Sequence, residues 1–430
     1  MPQKLWLALW DCFEQWDLFN FPATTMFNST TYNPCCAPAL NRRALLLLAA
    51  SGSLLSACGG GHDDGETAHS NGKTQLASAH CVSAGLVGVA VGEVLPAQRL
   101  LSVAGMRRQG VIEPIQPDDL FCIGSNTKAM SCAAIGAMVD KGWVTWSTRV
   151  ADAMPGMAAT MHPDYAAITL DQLLNHRAGL PAFAGDADDE QGFLDFVTAD
   201  TSTPLPSTVM ERRAYFARWL LKQTPPAALR PGVDFLYSNA GYALAAAMLE
   251  ALRQRSFESL FDEVLVHPLR LSGMWRMPSA VADPQPLGHE GLKDVLSVYT
   301  ATNDDLVGDL WLQVLAPGGF WSCSAPAYSE WLRWNLRALV GQTTPLATAY
   351  VKRLRVATAD AYTLGWLGTD IEGKRLLAHS GHVRGFMAEA VMRQDGSHAA
   401  FGLTNTAYMG TDGSSWVLAE LDRQLGSVFL

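Results

Sequence analysis

The sequence predicts an α/β (α+β) fold in which one antiparallel sheet is built from the two ends of the chain, with a mostly helical part inserted between them. Near the start, two apolar runs rich in valine and leucine, 85–94 and 98–104, are separated by a short break and indicate a β-hairpin. Near the end, residues 386–392 and 399–403 flank an Asp-Gly pair, which is a strong hairpin signal. Strands at both ends with helices between them indicate a single sheet assembled from distant segments.

The predicted helices follow from apolar residues at helical spacing. Residues 125–141 carry small and apolar side chains at intervals of three and four and stop at a glycine, which predicts a buried helix. Stretches such as 215–222 and 242–253 have a helical pattern, and 415–425 is predicted to be a closing helix. The segment 185–206 is rich in proline and acidic residues without a core pattern, so we expect a loop over a cleft.

The composition argues against one class of partner. The chain has 430 residues, of which 49% are hydrophobic and 17% charged, as expected of a globular protein with a core around a cleft. Its formal net charge of −10 argues against nucleic acid, which selects a basic surface. The spacing of the cysteines in the predicted folded part leaves any disulfide pairing open. These cysteines are Cys81, Cys122, Cys132 and Cys323.

The amino-terminal region has the features of a targeting segment. Arg42 and Arg43 precede the apolar run 44–57, which is too short to span a bilayer and ends at Cys58. This pattern resembles a bacterial lipoprotein signal, which implies a lipidated Cys58 and a protein anchored in the cell envelope, facing the periplasm or the exterior. The alternative, a buried helix, is disfavoured because the run leads into a polar, glycine-rich stretch. The predicted organisation is a signal with a long lead-in over 1–57, a flexible linker over 58–78 and a folded domain over 79–430, with its sheet part in 79–150 and 345–430 and its helical part in 151–344.

The first candidate catalytic element is the segment 121–128, Phe-Cys-Ile-Gly-Ser-Asn-Thr-Lys. It places Ser125 three residues before Lys128 at a helix start, and residues i and i+3 share a helix face. A lysine can take the serine proton only when its pKa is lowered. The same spacing occurs at Ser70 and Lys73 in the predicted linker, where nothing would bury the lysine. The apolar surroundings of Ser125 distinguish it.

The second element is Tyr237-Ser238-Asn239, the only Tyr-x-Asn in the chain. A phenol beside a serine–lysine pair can relay a proton to a leaving group, and an asparagine amide can bind both the lysine and a substrate carbonyl. The run also fits a turn that leads into a helix, with Asn239 as its N-cap. The two interpretations are compatible.

The third element is His379-Ser380-Gly381, followed by His382. It leads into the terminal hairpin, where a strand edge would line a cleft. A similar run, 289–291, lies in a stretch without strand character and is interpreted as a loop. A lone histidine is more often structural than functional, so this element depends on the other two.

In this order and context, the three elements resemble the serine β-lactamase and penicillin-binding-protein superfamily, closest to its class C branch, over about residues 84–430. The resemblance implies a β-lactamase/transpeptidase-like fold and a serine hydrolase that works through an acyl-enzyme, without metal or cofactor. It implies that Ser125 is the nucleophile, Lys128 the general base and Tyr237 a partner in proton transfer. Asn239 would orient the lysine and the substrate, and the backbone N–H groups of Ser125 and His382, the residue after Gly381, would form the oxyanion hole. Further stretches that resemble the family are 173–181, 271–274, 318–322 and 364–366.

One position departs from the family pattern. β-Lactamases and peptidases of this superfamily usually carry lysine where this chain has His379, and a neutral histidine would bind a substrate carboxylate less firmly. Arg384 on the same strand is an alternative source of positive charge. The substitution favours an esterase, amidase or D-amino-acid peptidase over a β-lactamase. We expect specificity to lie in loops such as 185–206 and 280–304.

Other functions fit the sequence less well. A metal hydrolase needs clustered ligands, but no His-Glu-x-x-His occurs and the nearest cluster, His62, Asp63, Asp64 and His69, falls in the predicted linker. An α/β-hydrolase needs Gly-x-Ser-x-Gly, which is absent. The non-enzymatic alternative is a binding or scaffold lipoprotein that retains the fold. The expected partners are a small-molecule or peptide ester or amide, and a membrane through the lipid anchor.

Overall fold

Twelve strands are present in the computed structural model, which describes residues 70–429 except 185–186, 200–204, 227–228, 282, 294, 300–304 and 409–414. The strands are β1 (Gly88–Val94), β2 (Arg99–Gly105), β3 (Leu120–Cys122), β4 (His289–Leu292), β5 (Val295–Val298), β6 (Ser322–Ser324), β7 (Tyr362–Thr363), β8 (Trp366–Ile371), β9 (Lys374–Val383), β10 (Phe386–Arg393), β11 (Ala399–Thr404) and β12 (Thr406–Ala407). Seven of them form the central sheet, in the order β2-β1-β11-β10-β9-β8-β7.

The two ends of the chain meet in the middle of this sheet. β1 pairs antiparallel with β11, so that Val89 lies opposite Thr404 and Val94 lies opposite Ala399. The other neighbours are antiparallel as well. The prediction of an antiparallel sheet built from amino- and carboxy-terminal segments is confirmed.

The helices are α1 (Gly72–Ser83), α2 (Thr127–Asp140), α3 (Val150–Ala153), α4 (Pro163–Ala166), α5 (Leu170–Leu174), α6 (Ala187–Ala199), α7 (Val209–Leu220), α8 (Asn239–Arg253), α9 (Phe257–Phe261), α10 (His267–Leu269), α11 (Asp305–Gly319), α12 (Ala325–Leu339), α13 (Thr348–Arg355) and α14 (Trp416–Phe429). The terminal helices α1 and α14 pack on one face of the sheet, and the inserted helices, with α12 and α13, cover the other.

Strand β10 shows how the sequence produces these two layers. Successive side chains of a strand point to opposite faces. Met387 and Val391 therefore pack in the core under α1 and α14, whereas Ala388 and Ala390 face the larger helical core. Both faces are covered, so the strand is apolar except at Glu389 and at its last residue, Arg393.

Helix α2 lies at the centre of the helical core. Its small side chains allow neighbouring elements to approach closely, since a Cβ on Gly136 would lie 2.8 Å from the Cβ of Tyr350 in α13. Eleven of its fourteen residues are buried, which fixes the orientation of its first turn. This agrees with the predicted buried helix at 125–141.

Two regions that the sequence analysis interpreted as loops contain regular structure. The run 289–291 belongs to β4, which pairs antiparallel with β5 and parallel with β12. His289 is fully buried, and its Nε2 accepts the backbone N–H of Gln109 at 3.0 Å. The interpretation of 289–291 as a loop is wrong, because a strand of four residues is too short to show a recognisable alternation.

The predicted loop 185–206 contains α6. This helix buries Phe193 against Phe216 and Trp219, with ring centroids 5.1 and 5.2 Å apart. Because α6 begins with acidic residues, the short apolar stripe that follows was not recognised as helical in the sequence. The helix α1, in turn, begins inside the predicted linker 58–78, where the side chain of Asn71 caps it by accepting the N–H of Thr74 at 2.9 Å.

The predicted signal and Cys58 lie outside the described residues. Among the helices that the structure does describe, none is long and apolar enough to cross a bilayer.

Candidate active site

A tight turn between β3 and α2 carries Ser125. The turn is a single 3₁₀ segment, Gly124–Asn126, and Gly124 has a φ of +52°, a conformation that a side chain would strain. A Cβ at Gly124 would also lie only 2.5 Å from the backbone nitrogen of His382. The turn can therefore rest directly on β9, with Ser125 half-buried at the contact.

Lys128 lies one helical turn after the serine and is fully buried. Its Nζ lies 3.0 Å from Ser125 Oγ, 2.6 Å from Asn239 Oδ1 and 2.6 Å from the carbonyl oxygen of Gly318. The last two atoms are acceptors only. A neutral amine has two N–H groups and one lone pair, so both N–H groups are used by these acceptors and the lone pair is left for the serine hydroxyl.

The electrostatic surroundings favour that neutral form. Burial lowers the pKa of Lys128 well below its ordinary value, because the ammonium form loses its hydration. No carboxylate is among the three hydrogen-bond partners of Nζ. The arrangement meets the requirement for a lysine that removes a proton from serine.

Tyr237 and Asn239 reach the same point from the start of α8. The predicted turn into a helix is confirmed, but the prediction that Asn239 caps the helix is wrong, because the N-cap is Ser238, whose side chain accepts the N–H of Gly241 at 3.2 Å. Asn239 donates from Nδ2 to the carbonyl oxygen of Phe183 at 2.7 Å, which turns its Oδ1 toward Lys128. The run therefore forms both a turn into a helix and the predicted contact between Asn239 and Lys128.

The Tyr237 phenol is hydrogen-bonded to Ser125. Burial raises the pKa of this phenol, while the contact with Ser125 opposes the rise. Its ring lies below Nζ of Lys128, which is 4.7 Å from the ring centroid. Tyr237 therefore adjoins both members of the pair and holds its proton at neutral pH.

The edge of β9 closes the site. β8 pairs with β9 only as far as Ala378, so the segment from 379 to 383 has β10 on one side and the serine turn on the other. A Cβ on Gly381 would lie 2.1 Å from the carbonyl oxygen of Ile123 and 2.7 Å from the backbone nitrogen of Ser125. Only glycine permits this approach.

The hairpin geometry orients the N–H of His382. Arg384 and Gly385 have φ values of +42° and +78°, which suits a two-residue hairpin loop, and Val383 pairs with Phe386. Residues beside such a loop exchange both hydrogen bonds, and bonded pairs alternate along the ladder. The N–H of His382 accordingly points away from β10 and toward the serine turn, as an oxyanion hole made with the N–H of Ser125 requires.

His379 lies near Tyr237, but both of its ring nitrogens are already hydrogen-bonded within the protein. Nε2 lies 3.0 Å from the hydroxyl of Tyr362, and Nδ1 contacts the carbonyl oxygen of Ser380. A carbonyl only accepts, so Nδ1 carries the proton and Nε2 accepts from the tyrosine. Burial, together with Lys128, lowers the pKa of His379 to about 3, so the ring is uncharged at neutral pH.

His176, a residue that was not among the predicted site residues, packs against Tyr237 and holds the turn at Ser238. Its Nδ1 accepts the N–H of Ser238 at 3.0 Å, and its ring packs in a tilted arrangement against those of Tyr237 and Tyr362, at centroid distances of 4.3 and 4.5 Å. Burial lowers the pKa of His176 well below its ordinary value. The residue lies in the stretch 173–181, whose resemblance to the family was the available signal.

Neither metal nor disulfide chemistry is indicated in the part of the chain that the structure describes. No group of three or more metal-ligating side chains occurs there. The four predicted cysteines of the folded part, Cys81, Cys122, Cys132 and Cys323, are buried free thiols.

The chain belongs to the beta-lactamase family, whose model matches residues 73–423. Among curated relatives, an unguisins hydrolase from Aspergillus violaceofuscus is 26% identical over 345 residues, which cover 73% of this chain and 57% of the relative. Penicillin-binding protein 4 from Amycolatopsis lactamdurans is 25% identical over 183 residues, 41% of each chain. The matched regions thus cover little more than half of the first relative and less of the second.

Solved structures show the same fold. The D-amino acid amidase from Ochrobactrum anthropi superposes with a TM-score of 0.61 at 20% identity, covering 83% of this chain and 97% of the amidase. The octameric penicillin-binding protein homologue from Pyrococcus abyssi has a TM-score of 0.57 at 20% identity, with 76% and 71% covered. This chain therefore has the penicillin-binding-protein-like α/β fold.

Proposed function

We propose that this protein is a serine hydrolase that cleaves an ester or amide through an acyl-enzyme on Ser125. The observation that carries the proposal is the set of contacts at Lys128, whose Nζ lies within hydrogen-bond distance of Asn239 Oδ1, the Gly318 carbonyl oxygen and Ser125 Oγ. In the neutral amine the first two acceptors use both N–H groups, and the lone pair is left for the serine hydroxyl. The family membership supports it. The contacts of Tyr237 further support a class C-like arrangement, in which a tyrosine joins the serine–lysine pair.

The proposed reaction begins when Lys128 takes the Oγ proton of Ser125 as the oxygen attacks the substrate carbonyl. The negative charge that develops on the carbonyl oxygen is stabilised by the N–H groups of Ser125 and His382, each worth about 3 kcal/mol in a comparable site. Tyr237 gives its phenol proton to the leaving amine or alcohol and receives in exchange the proton that Lys128 took from Ser125, so both side chains return to their starting state. Water, activated by the same groups, then releases the acyl product.

We further propose that the substrate lacks a carboxylate next to the scissile bond. A buried, neutral His379 with both nitrogens occupied offers no charge for such a group. The names of the related D-amino acid amidase and unguisins hydrolase fit an amide substrate. A lost charge-assisted hydrogen bond corresponds to about 1.5–3 kcal/mol, on the order of ten- to a hundred-fold in binding.

The test is a comparison of kcat/KM for p-nitrophenyl butyrate and a D-alanine amide with that for nitrocefin, which carries a carboxylate. We expect the ester or the amide to be preferred. The variant His379→Lys should shift the ratio toward nitrocefin, because lysine restores a cation at this point of β9. A wild-type enzyme that prefers nitrocefin by a wide margin, or a ratio unmoved by a folded His379→Lys variant, would contradict the substrate proposal.

We also propose that the protein is anchored to a membrane of the cell envelope through Cys58. The sequence pattern around this residue supports the proposal. Anchoring would leave the catalytic domain outside the cytoplasm, where it meets external substrates.

A further inference from the structure

Two residues that line a large cavity, Phe320 and Arg384, lie within two residues of positions that contact Lys128 or the serine turn. Its volume is about 750 Å³, and it opens between the first turn of α7, the loop that contains residues 275–280, helix α11 and the β9–β10 turn. Seven of its thirteen lining residues are apolar, and two of these are aromatic. The apolar residues that matter here are Trp275, Met277, Ala280, Leu312, Ala316 and Phe320.

The chain leads directly from the contacts of Lys128 and the serine turn to the cavity wall. Gly318 holds Nζ of Lys128 through its carbonyl oxygen, and a Cβ on Gly319 would lie 3.9 Å from the carbonyl carbon of Gly124. These two glycines present only backbone to the site, and the next residue, Phe320, is already part of the cavity wall. On the other side, Arg384 lines the cavity two residues after His382. A substrate whose carbonyl sits at Ser125 has the cavity as its neighbour.

The one carboxylate among the lining residues does not call for a cationic ligand. Glu258, which lines the cavity, forms an ion pair with the buried guanidinium of Arg213, so this carboxylate is already neutralised. Arg276 lies at the exposed end of the cavity. Pockets of this volume with aromatic walls accept groups much larger than a methyl side chain.

We infer that the substrate carries a bulky apolar group, of the size of an aromatic amino-acid side chain or a medium-length acyl chain, which fills this cavity during hydrolysis. The inference rests on the proposed hydrolase function and adds the substrate class. Small amino-acid amides would then be poor substrates, because they leave the apolar wall in contact with water.

The experiment compares p-nitrophenyl acetate, butyrate, octanoate and 4-phenylbutyrate, and in parallel the amides of D-alanine and D-phenylalanine. We expect kcat/KM to rise with the size of the apolar group, by about tenfold or more between the smallest and largest member of a series. The variant Ala280→Trp fills the cavity from its exposed end and should lower the large-to-small ratio by about tenfold. Ala158→Trp, at an exposed site remote from the cavity lining, is the matched control and should leave the ratio unchanged.

Labelling with a small ethyl fluorophosphonate separates the possible failures. If the wild type is labelled at Ser125 but kcat/KM does not depend on size in either series, the cavity inference is wrong and the hydrolase function stands. If size dependence is present but Ala280→Trp lowers the ratio no more than Ala158→Trp does, the inference is also wrong. If no probe labels Ser125, the hydrolase function fails, and the inference fails with it.

Discussion

The substitution Asn239→Asp tests whether Lys128 works as a free amine. It keeps the shape of the side chain but places a carboxylate 2.6 Å from Nζ, at the position now held by a neutral amide oxygen. Two opposite charges at that distance interact by about 6 kcal/mol at an effective dielectric constant of about 20. This corresponds to between about four and five pKa units.

Burial of the new carboxylate opposes its ionisation, so we expect a smaller net rise in the pKa of Lys128, roughly 2–3 units. A higher pKa keeps the lysine protonated at neutral pH, and an ammonium group cannot accept the serine proton. We therefore expect kcat/KM at pH 7 to fall by about 100-fold or more and to recover in part as the pH rises.

The assay is the pH dependence of kcat/KM for p-nitrophenyl butyrate, corrected for spontaneous hydrolysis, in the wild type and in Asn239→Asp. The matched control is Asn239→Leu, which removes the amide without adding charge and should lower activity without moving the acid limb upward. An Asn239→Asp enzyme with the wild-type acid limb, or one whose profile matches that of Asn239→Leu, would refute the role of Lys128 as base.

Three further predictions concern other parts of the chain. Burial raises the pKa of Asp422 from 3.8 to about 7, so its protonated form stabilises the fold at low pH, and this stabilisation is lost as the pH rises toward 7. Asp422→Asn should therefore raise the free energy of unfolding at pH 8 by roughly 2 kcal/mol, and by no more than about 4. Urea denaturation at pH 5 and pH 8 measures the effect, and equal gains at the two pH values would count against it. Gly381→Ala should push β9 off the serine turn, because its Cβ would lie 2.1 Å from the carbonyl oxygen of Ile123; we expect kcat/KM to drop by about 100-fold with the fold retained by circular dichroism, and an active variant would show that the contact is dispensable. Cys58→Ala should release the protein from the membrane fraction, and unchanged sedimentation with membranes would rule out the lipid anchor.

The parts of the fold that sequence analysis predicted are those with strong local signals. The hairpin around the Asp-Gly pair at 395–396 was indicated by a turn pair between two apolar runs, and the helix at 125–141 by small and apolar residues at helical spacing. The parts it missed depend on tertiary contacts. The strand containing His289 pairs with β12, more than a hundred residues later, as well as with the neighbouring β5, and no local pattern reports the distant partner.

In the candidate site, too, contacts set by local spacing could be predicted, and contacts set by tertiary packing could not. The spacing of Ser125 and Lys128 predicted their contact, since a helix turn brings i and i+3 together. The hydrogen bond between His379 and Tyr362, in contrast, depends on how β7 lies against β9 through β8, so the occupation of both ring nitrogens was not visible in the sequence. The supporting position of His176 has the same origin, because its contacts join segments that are about sixty and one hundred and eighty residues apart.

The most direct test of the central claim, that Ser125 is the nucleophile, is to locate a covalent adduct by mass spectrometry. The wild type, Ser125→Ala and Ser70→Ala are each treated with a fluorophosphonate, digested and sequenced. Ser70 has the same spacing to a lysine, but both of these side chains are exposed, so it is the matched control. We expect a single adduct on Ser125 in the wild type and in Ser70→Ala, and none in Ser125→Ala. Labelling of Ser125→Ala at the wild-type rate, or an adduct on another serine of the wild type, would contradict it.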